Sequence, residues 1–133
     1  MLVPGVSYLE ALNARPRIAA EFVRQVFGAV DVLHAPVMSM PVPTRAETTP
    51  GGSGEVMDML MQLTRNTRPL NFLGLPSLAI PAGFTDNGLP VAFQLIGRPF
   101  AEEMLFRIGD AFQGESDWHM REPVVSNHSN EVQ

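Results

Sequence analysis

Two stretches decide the fold: TRPLNFLGLPSLAIPAGF at residues 67–84 and GLPVAFQLIGRPF at residues 88–100. They contain two short runs of strand-forming residues, at 77–82 and 90–97. The segment TDNG between them ends in Asn-Gly, a strong signal for a hairpin turn. Both runs are apolar at nearly every position, so we expect strands that are covered on both faces by helices.

Upstream of these strands, the pattern of apolar residues predicts one helix and one further strand. Ser7 and Glu10 have the spacing of a capping box, which predicts a helix start there. Pro16 should interrupt this helix, since proline lacks the backbone N–H group. Apolar residues at three- and four-residue spacing then predict a second part that ends near Gly28. Residues 31–37 are expected to form a short buried strand.

Two further helices are predicted, one on each side of the hairpin in the sequence. Residues 55–70 carry an apolar stripe, which Pro69 should kink or restart, with Thr67 as the new cap. Residues 101–113 carry a second stripe with two glutamates in its first turn. The segment 42–54, rich in Pro, Thr and Gly, is expected to be a surface loop.

Composition narrows the class of protein. The chain has 133 residues, a net charge of −5 and 45% apolar residues, which indicates one domain with a sizeable core. The absence of cysteine excludes a disulfide framework and a thiolate nucleophile, and makes a reducing cytoplasm the expected location. Scattered arginines predict no nucleic-acid partner. With no signal peptide and no apolar run of about 18 residues, we expect a soluble protein without a membrane partner.

Few residues are candidates for chemistry. His34, His119 and His128 stand at no metal-ligand spacing from one another or from a helical carboxylate, so neither a metal site nor a cofactor is expected. His34 should be a buried imidazole satisfied by backbone groups. The tetrad GGSG at 51–54 has neither the second glycine of a nucleophile elbow nor the lysine of a phosphate loop. All nine basic residues are arginines, which excludes a lysine base or Schiff base.

The two stretches together closely resemble the C-terminal part of the amidase signature family. DVLHAP at 31–36 is similar to that family's D-x-L-x-x-P strand, and residues 117–119 with Pro123 are similar to its closing W-H-x-x-x-P. The resemblance implies an α/β fold, namely the C-terminal portion of an α/β/α amidase-signature fold with a mixed β-sheet covered by helices. We therefore expect residues 1–123 to form a partial domain and residues 124–133 a frayed polar tail.

The resemblance also implies an amidohydrolase that cleaves carboxamide C–N bonds through a Ser, cis-Ser, Lys triad. Those residues belong to the family's N-terminal and middle portions, and this chain has neither the glycine/serine signature nor any lysine. We expect no catalytic residue in this chain and no activity from it alone. The implied partners are the missing N-terminal portion of the same fold and, through the full enzyme, a small-molecule amide substrate. A homo-oligomer is a further alternative.

Four polar residues are the candidate substrate-binding set: Thr64, Thr67, Arg68 and Asn71 recur at helical spacing beside the apolar stripe of residues 55–70. Burying each unpaired polar group would cost about 1–3 kcal/mol, so a substrate could satisfy them. In family members this helix lines the acyl side of the substrate site. The alternative is structural: Thr67 caps, Asn71 bonds neighbouring backbone and Thr64 packs.

Other functions stay open. Family members that act in tRNA-linked amidotransfer share an acid at the position of Thr64, so this threonine favours a general amidase over the A subunit of an aminoacyl-tRNA amidotransferase. From another class, the chain could be a noncatalytic remnant or interaction module whose exposed sheet edge pairs with a partner. A small-ligand binding domain is a third hypothesis. Gln94, polar within an apolar strand, is expected to tie neighbouring backbone together.

Overall fold

The computed structural model describes residues 3–48 and 54–122. Its elements, in chain order, are α1 (Gly5–Val26), β1 (Val32–Pro36), α2 (Arg45–Thr48), α3 (Gly54–Leu63), α4 (Arg68–Leu73), β2 (Ser77–Phe84), β3 (Pro90–Gly97), α5 (Glu102–Gly114) and a 3-10 turn (Trp118–Met120). The predicted tail at 124–133, Pro123 and most of the GGSG tetrad lie outside the described residues.

The three described strands form one sheet in the order β1-β3-β2, and both pairings are antiparallel. The predicted hairpin between β2 and β3 is confirmed: the Thr85 N–H donates to the Leu89 carbonyl at 2.8 Å. Gly88 closes the turn with a φ of 75°, a left-handed conformation that glycine adopts without strain. The parallel pairings of a mixed sheet stay a prediction about the complete fold.

Helices cover both faces of the central strand β3. On one face, Phe27 and Leu70 pack with Ile96 beneath α1 and α4. On the other face, Leu105 of α5 packs against Leu95. Because successive strand residues point to opposite faces, the adjacent Leu95 and Ile96 join the two separate cores. The described chain is therefore an α/β fold with helices on both sides of the sheet.

Strand β2 departs from the expected burial. Ser77, Ala79 and Pro81 are exposed on the face opposite α5. The reason is that α1 and α4 lie over the other half of the sheet, where their core takes its strand residues from β1 and β3. The prediction of strands covered on both faces is correct for the C-terminal half of β3 and wrong for β2 within the described residues.

Helix α1 begins earlier and runs farther than the sequence predicts. It starts at Gly5 with Pro4 at its N-cap and has no side-chain capping hydrogen bond, so the capping box at Ser7 and Glu10 is wrong. It also continues through Pro16 without a break. Proline removes one intrahelical hydrogen bond, and here the turns on both sides hold the helix together.

The predicted restart at Pro69 is confirmed. Helix α3 ends at Leu63, and α4 begins at Arg68 with Pro69 in its first turn, where the missing N–H is not needed. Gly74 ends α4 with a φ of 71°, and its N–H donates to the Leu70 carbonyl at 2.8 Å. This short helix directs the chain into β2.

Candidate functional site

The candidate binding residues lie along the turn that joins α3 to α4. Backbone bonds keep helical spacing there, because the Arg68 N–H donates to the Thr64 carbonyl at 2.9 Å and the Asn71 N–H donates to the Thr67 carbonyl at 3.1 Å. The four residues therefore form one stripe along the helix axis, as their sequence spacing predicts.

Both threonine hydroxyls of the stripe bond locally. The Thr64 hydroxyl donates to the Leu60 carbonyl at 2.9 Å, and the Thr67 hydroxyl donates to the Thr64 carbonyl at 3.4 Å. Thr67 stands at the N-cap of α4 but makes no capping bond with its side chain. Helix carbonyls thus satisfy the two hydroxyls, and Thr64 is exposed rather than buried.

Arg68 and Asn71 point to different neighbours. The Arg68 guanidinium folds back on α3, where its Nη2 donates to the Met61 carbonyl at 2.9 Å. Asn71 faces α1 and lines a cavity of about 180 Å³ together with Tyr8 and Arg15, and Arg68 is not part of that lining. The stripe therefore shares one helix face but does not converge on one cavity in the part of the chain that the structure describes.

A buried hydrogen-bond network lies at the foot of this stripe. Gln94 is 2% exposed, and its Oε1 accepts a bond from the Ser77 hydroxyl at 2.9 Å. Its Nε2 donates to the carbonyls of Pro36 and Asn66, both at 3.2 Å. One side chain thus joins β1, β2 and the turn between α3 and α4. The prediction that Gln94 ties neighbouring backbone together is confirmed.

Sequence reasoning missed Asn66 and misplaced His34. The Asn66 amide donates to the Pro36 carbonyl at 3.0 Å, which fixes the turn against the end of β1. Its place between two helical segments, next to the restart, was the available signal. His34 is exposed, and its ring centroid lies 4.6 Å from that of Phe93. It is exposed because β1 lies at the edge of the three described strands.

Electrostatic perturbation is found away from the stripe. The Glu47 carboxylate accepts bonds from the Thr44 N–H at 2.7 Å and from the Thr44 hydroxyl at 2.8 Å. These bonds hold the pKa of Glu47 below its ordinary value of 4.5. The Glu47 N–H bonds back to the Thr44 hydroxyl, which makes a capping box for α2 inside the predicted loop.

Two further searches concern metals and membranes. Across residues 3–48 and 54–122, no group of three or more His, Asp or Glu side chains is placed to hold a metal ion. Among the same residues, no helix combines the length and the apolar character needed to cross a bilayer.

Comparison with known families identifies the fold. The family model described as Amidase matches residues 4–106. The chain belongs to the Amidase family. This match runs from the start of α1 into α5 and includes the sheet, the stripe and the Gln94 network. The resemblance to the amidase signature family is therefore confirmed.

Curated relatives of this Amidase-family chain share one name, the A subunit of glutamyl-tRNA(Gln) amidotransferase. The protein of that name from Chloroflexus aggregans is 44% identical over 121 residues, covering 90% of this chain and 23% of that protein. The one from Roseiflexus castenholzii is 42% identical over 118 residues, covering 89% of this chain and 23% of its own length. The chain thus spans about a quarter of the length of these relatives.

A solved structure shows the same fold in the Amidase-family chain and in a hydrolase. The structure titled 6-aminohexanoate cyclic dimer hydrolase matches 92% of this chain with a TM-score of 0.79. The identity is 22%, and the match covers 27% of the hydrolase chain. At that identity the comparison establishes the fold, and it supports the α/β architecture described above.

Proposed function

We propose that this chain is a noncatalytic segment of an amidase that hydrolyses carboxamide C–N bonds. The family match over residues 4–106 carries this proposal. Because the chain has no lysine and no glycine/serine signature, the Ser, cis-Ser and Lys residues must come from the portion of the domain outside it. This segment then supplies three sheet strands, their covering helices and one wall of the acyl pocket.

The proposed wall is the stripe of Thr64, Thr67, Arg68 and Asn71. Its support is the shared helix face and the exposure of Thr64, Arg68 and Asn71, which leaves them accessible to a substrate held by the rest of the domain. Gln94 acts through this wall as a positioning residue, since its amide bonds the Asn66 carbonyl within the same turn. The substrate class is a small-molecule amide.

A second candidate is a segment of the A subunit of an aminoacyl-tRNA amidotransferase, which would assemble with other subunits. The names of the relatives favour it. Thr64 opposes it, because the resemblance implies an acid at this position in amidotransferases. Substituting Thr64→Asp in an active enzyme should raise glutamine hydrolysis relative to other amides if the second candidate is correct.

An amidase chimera tests the first proposal. In it, this chain replaces the matching segment of the Chloroflexus aggregans protein, to which it is 44% identical. We expect amide hydrolysis from the chimera and no turnover of aryl or alkyl amides by the isolated chain. The relative without its matching segment is the control and should be inactive. Turnover by the isolated chain, or a folded chimera without activity, would contradict the proposal.

A further inference from the structure

We propose that the outer edge of β2, at residues 77–81, is the docking edge for a β-strand from the part of the amidase domain that this chain does not contain. The inference rests on the proposed function and names the edge through which the sheet continues. Its evidence is the direction of the backbone groups, the groove beside them and the length of the matching fold beyond this chain.

Two hydrogen bonds fix which backbone groups of β3 face which neighbour. The Val37 N–H donates to the Ala92 carbonyl at 3.3 Å, so Ala92 faces β1. The Gly97 N–H donates to the Pro76 carbonyl at 3.0 Å, so Gly97 faces β2. Because backbone groups alternate in direction along a strand, Phe93 and Leu95 of β3 also face β2.

The register transfers this alternation to β2. Leu78 pairs with Leu95 and Ile80 pairs with Phe93, so Leu78 and Ile80 direct their N–H and carbonyl groups toward β3. Ser77 and Ala79 therefore direct theirs outward. Pro81 also faces outward but offers only its carbonyl, because proline has no N–H.

The outward groups define a short docking edge. The register shifts between Pro81 and Gly83, and this bulge ends the regular edge. The side chains of Ser77, Ala79 and Pro81 are exposed on the face that α1 and α4 leave uncovered. A strand that pairs here would also cover this face with its neighbouring structure.

The opposite edge of the sheet is less suited to pairing. On β1, the residues that face away from β3 are Val32, His34 and Pro36 by the same alternation. The Pro36 carbonyl already accepts bonds from the side chains of Asn66 and Gln94. The edge of β1 is therefore partly occupied, whereas no described side chain bonds the outward groups of β2.

A groove runs beside the docking edge. Its volume is about 550 Å³, and its lining includes Leu78, Ile80 and Phe106, with Arg107 and Asp110 among its polar residues. The Phe106 side chain is 64% exposed, which is unusual for a phenylalanine beside a core. An added strand would bury its apolar side chains in this groove while its backbone bonds β2.

Close packing places the groove beside α5 and not beneath it. A Cβ on Gly109 would lie 3.0 Å from Leu78 Cδ2 and 3.3 Å from Ile80 Cδ1, so this helix already touches the strand. The added strand must therefore enter alongside β2, in the plane of the sheet.

The length of the matching fold identifies the occupant. The chain covers 27% of the hydrolase it superposes on and 23% of the Chloroflexus aggregans protein. Most of the amidase domain thus lies outside it. An exposed edge with an apolar groove also promotes association between copies, so an intact domain has reason to cover it. A second copy of this chain is the competing occupant.

Amide hydrogen exchange by NMR tests the docking edge. In the isolated chain at low concentration, we expect fast exchange at Ser77 and Ala79 and slower exchange at Leu78 and Ile80. In the amidase chimera, exchange at Ser77 and Ala79 should slow by at least about tenfold. The chimera decides the question whatever the stability of the isolated chain.

Variants at one position separate the backbone bond from side-chain bulk. In the chimera, Ala79→Pro removes the outward N–H and should lower the protection of Ser77 about fivefold to tenfold, the loss expected for one hydrogen bond. The matched control Ala79→Val keeps the N–H and should retain the protection.

Each outcome decides for or against the proposal. Slowed exchange at Ser77 and Ala79 in the chimera supports it. Fast exchange at both positions in an active chimera overturns the docking edge and leaves the proposed function standing. Slow exchange that depends on the concentration of the isolated chain assigns the edge to a second copy and also overturns the proposal. An inactive chimera with protected Ser77 and Ala79 contradicts the proposed function alone.

Discussion

Substituting Gln94→Leu should destabilise the chain more than any conservative change of similar volume on its surface. Gln94 is 2% exposed and bonds the Ser77 hydroxyl and the carbonyls of Pro36 and Asn66. Leucine keeps the volume of the side chain but can make none of these bonds. The substitution therefore separates the loss of hydrogen bonds from the creation of a cavity.

The expected magnitude follows from the fate of each partner. A net hydrogen bond contributes about 0.5–1.5 kcal/mol to stability. The Pro36 carbonyl keeps its bond from the Asn66 amide at 3.0 Å, and Ser77 is exposed enough for water to replace its partner. The Asn66 carbonyl loses its glutamine donor. We expect a loss of about 2–3 kcal/mol in the free energy of unfolding, with part of each lost bond offset in this way.

Urea unfolding and thermal melting followed by circular dichroism measure this loss. A change of that size should lower Tm by about 10 °C for a domain of this length. The control Gln113→Leu changes an exposed glutamine on α5 and should stay within about 0.5 kcal/mol of the original chain. A Gln94→Leu variant as stable as that control would refute the reasoning. Ser77→Ala should add no further loss in the Gln94→Leu background.

Three other changes test local features. Phe27→Ala truncates a side chain that is 0% exposed and should cost about 3–5 kcal/mol in urea unfolding, whereas Phe106→Ala should cost far less because that ring is 64% exposed. Gly74→Ala places a Cβ at a φ of 71° and should lower stability by about 1–2 kcal/mol in the same assay. The capping bonds of Glu47 lower its pKa below 4.5, so its contribution to stability is present above pH 4.5 and is lost as pH falls through the lowered pKa. Thr44→Val removes the hydroxyl but keeps the backbone N–H, so NMR titration should find the pKa of Glu47 raised part of the way toward 4.5, and an unchanged pKa would contradict this assignment.

Local patterns predicted most elements because their causes are local. The Asn-Gly turn, the restart at Pro69 and the strand around residues 31–37 each depend on a few adjacent residues. The failures also have local origins. The sequence of the first helix contains a capping box and a proline, and both signals were overruled by a helix that is continuous from Gly5 to Val26. Propensity is a weak guide where neighbouring turns hold a helix together.

The candidate site could be predicted only in part. Spacing placed Thr64, Thr67, Arg68 and Asn71 on one stripe, and the backbone bonds agree. Spacing could not show that the threonine hydroxyls bond their own helix or that Arg68 turns back toward α3. Side-chain direction depends on which neighbours lie within reach, and those neighbours are distant in the sequence or belong to another turn.

The sequence by itself determined the family and the class of elements, because ordered Pro, Gly, Asn and Gln residues fix turns and helix ends through local backbone geometry. It also excluded the family's lysine chemistry, since residue types are independent of folding. Tertiary structure alone decided that Gln94 joins three segments, that His34 is exposed and that β2 keeps an outward edge. These features depend on strand order and on which half of the sheet each helix covers, and contacts between residues far apart in the chain set both.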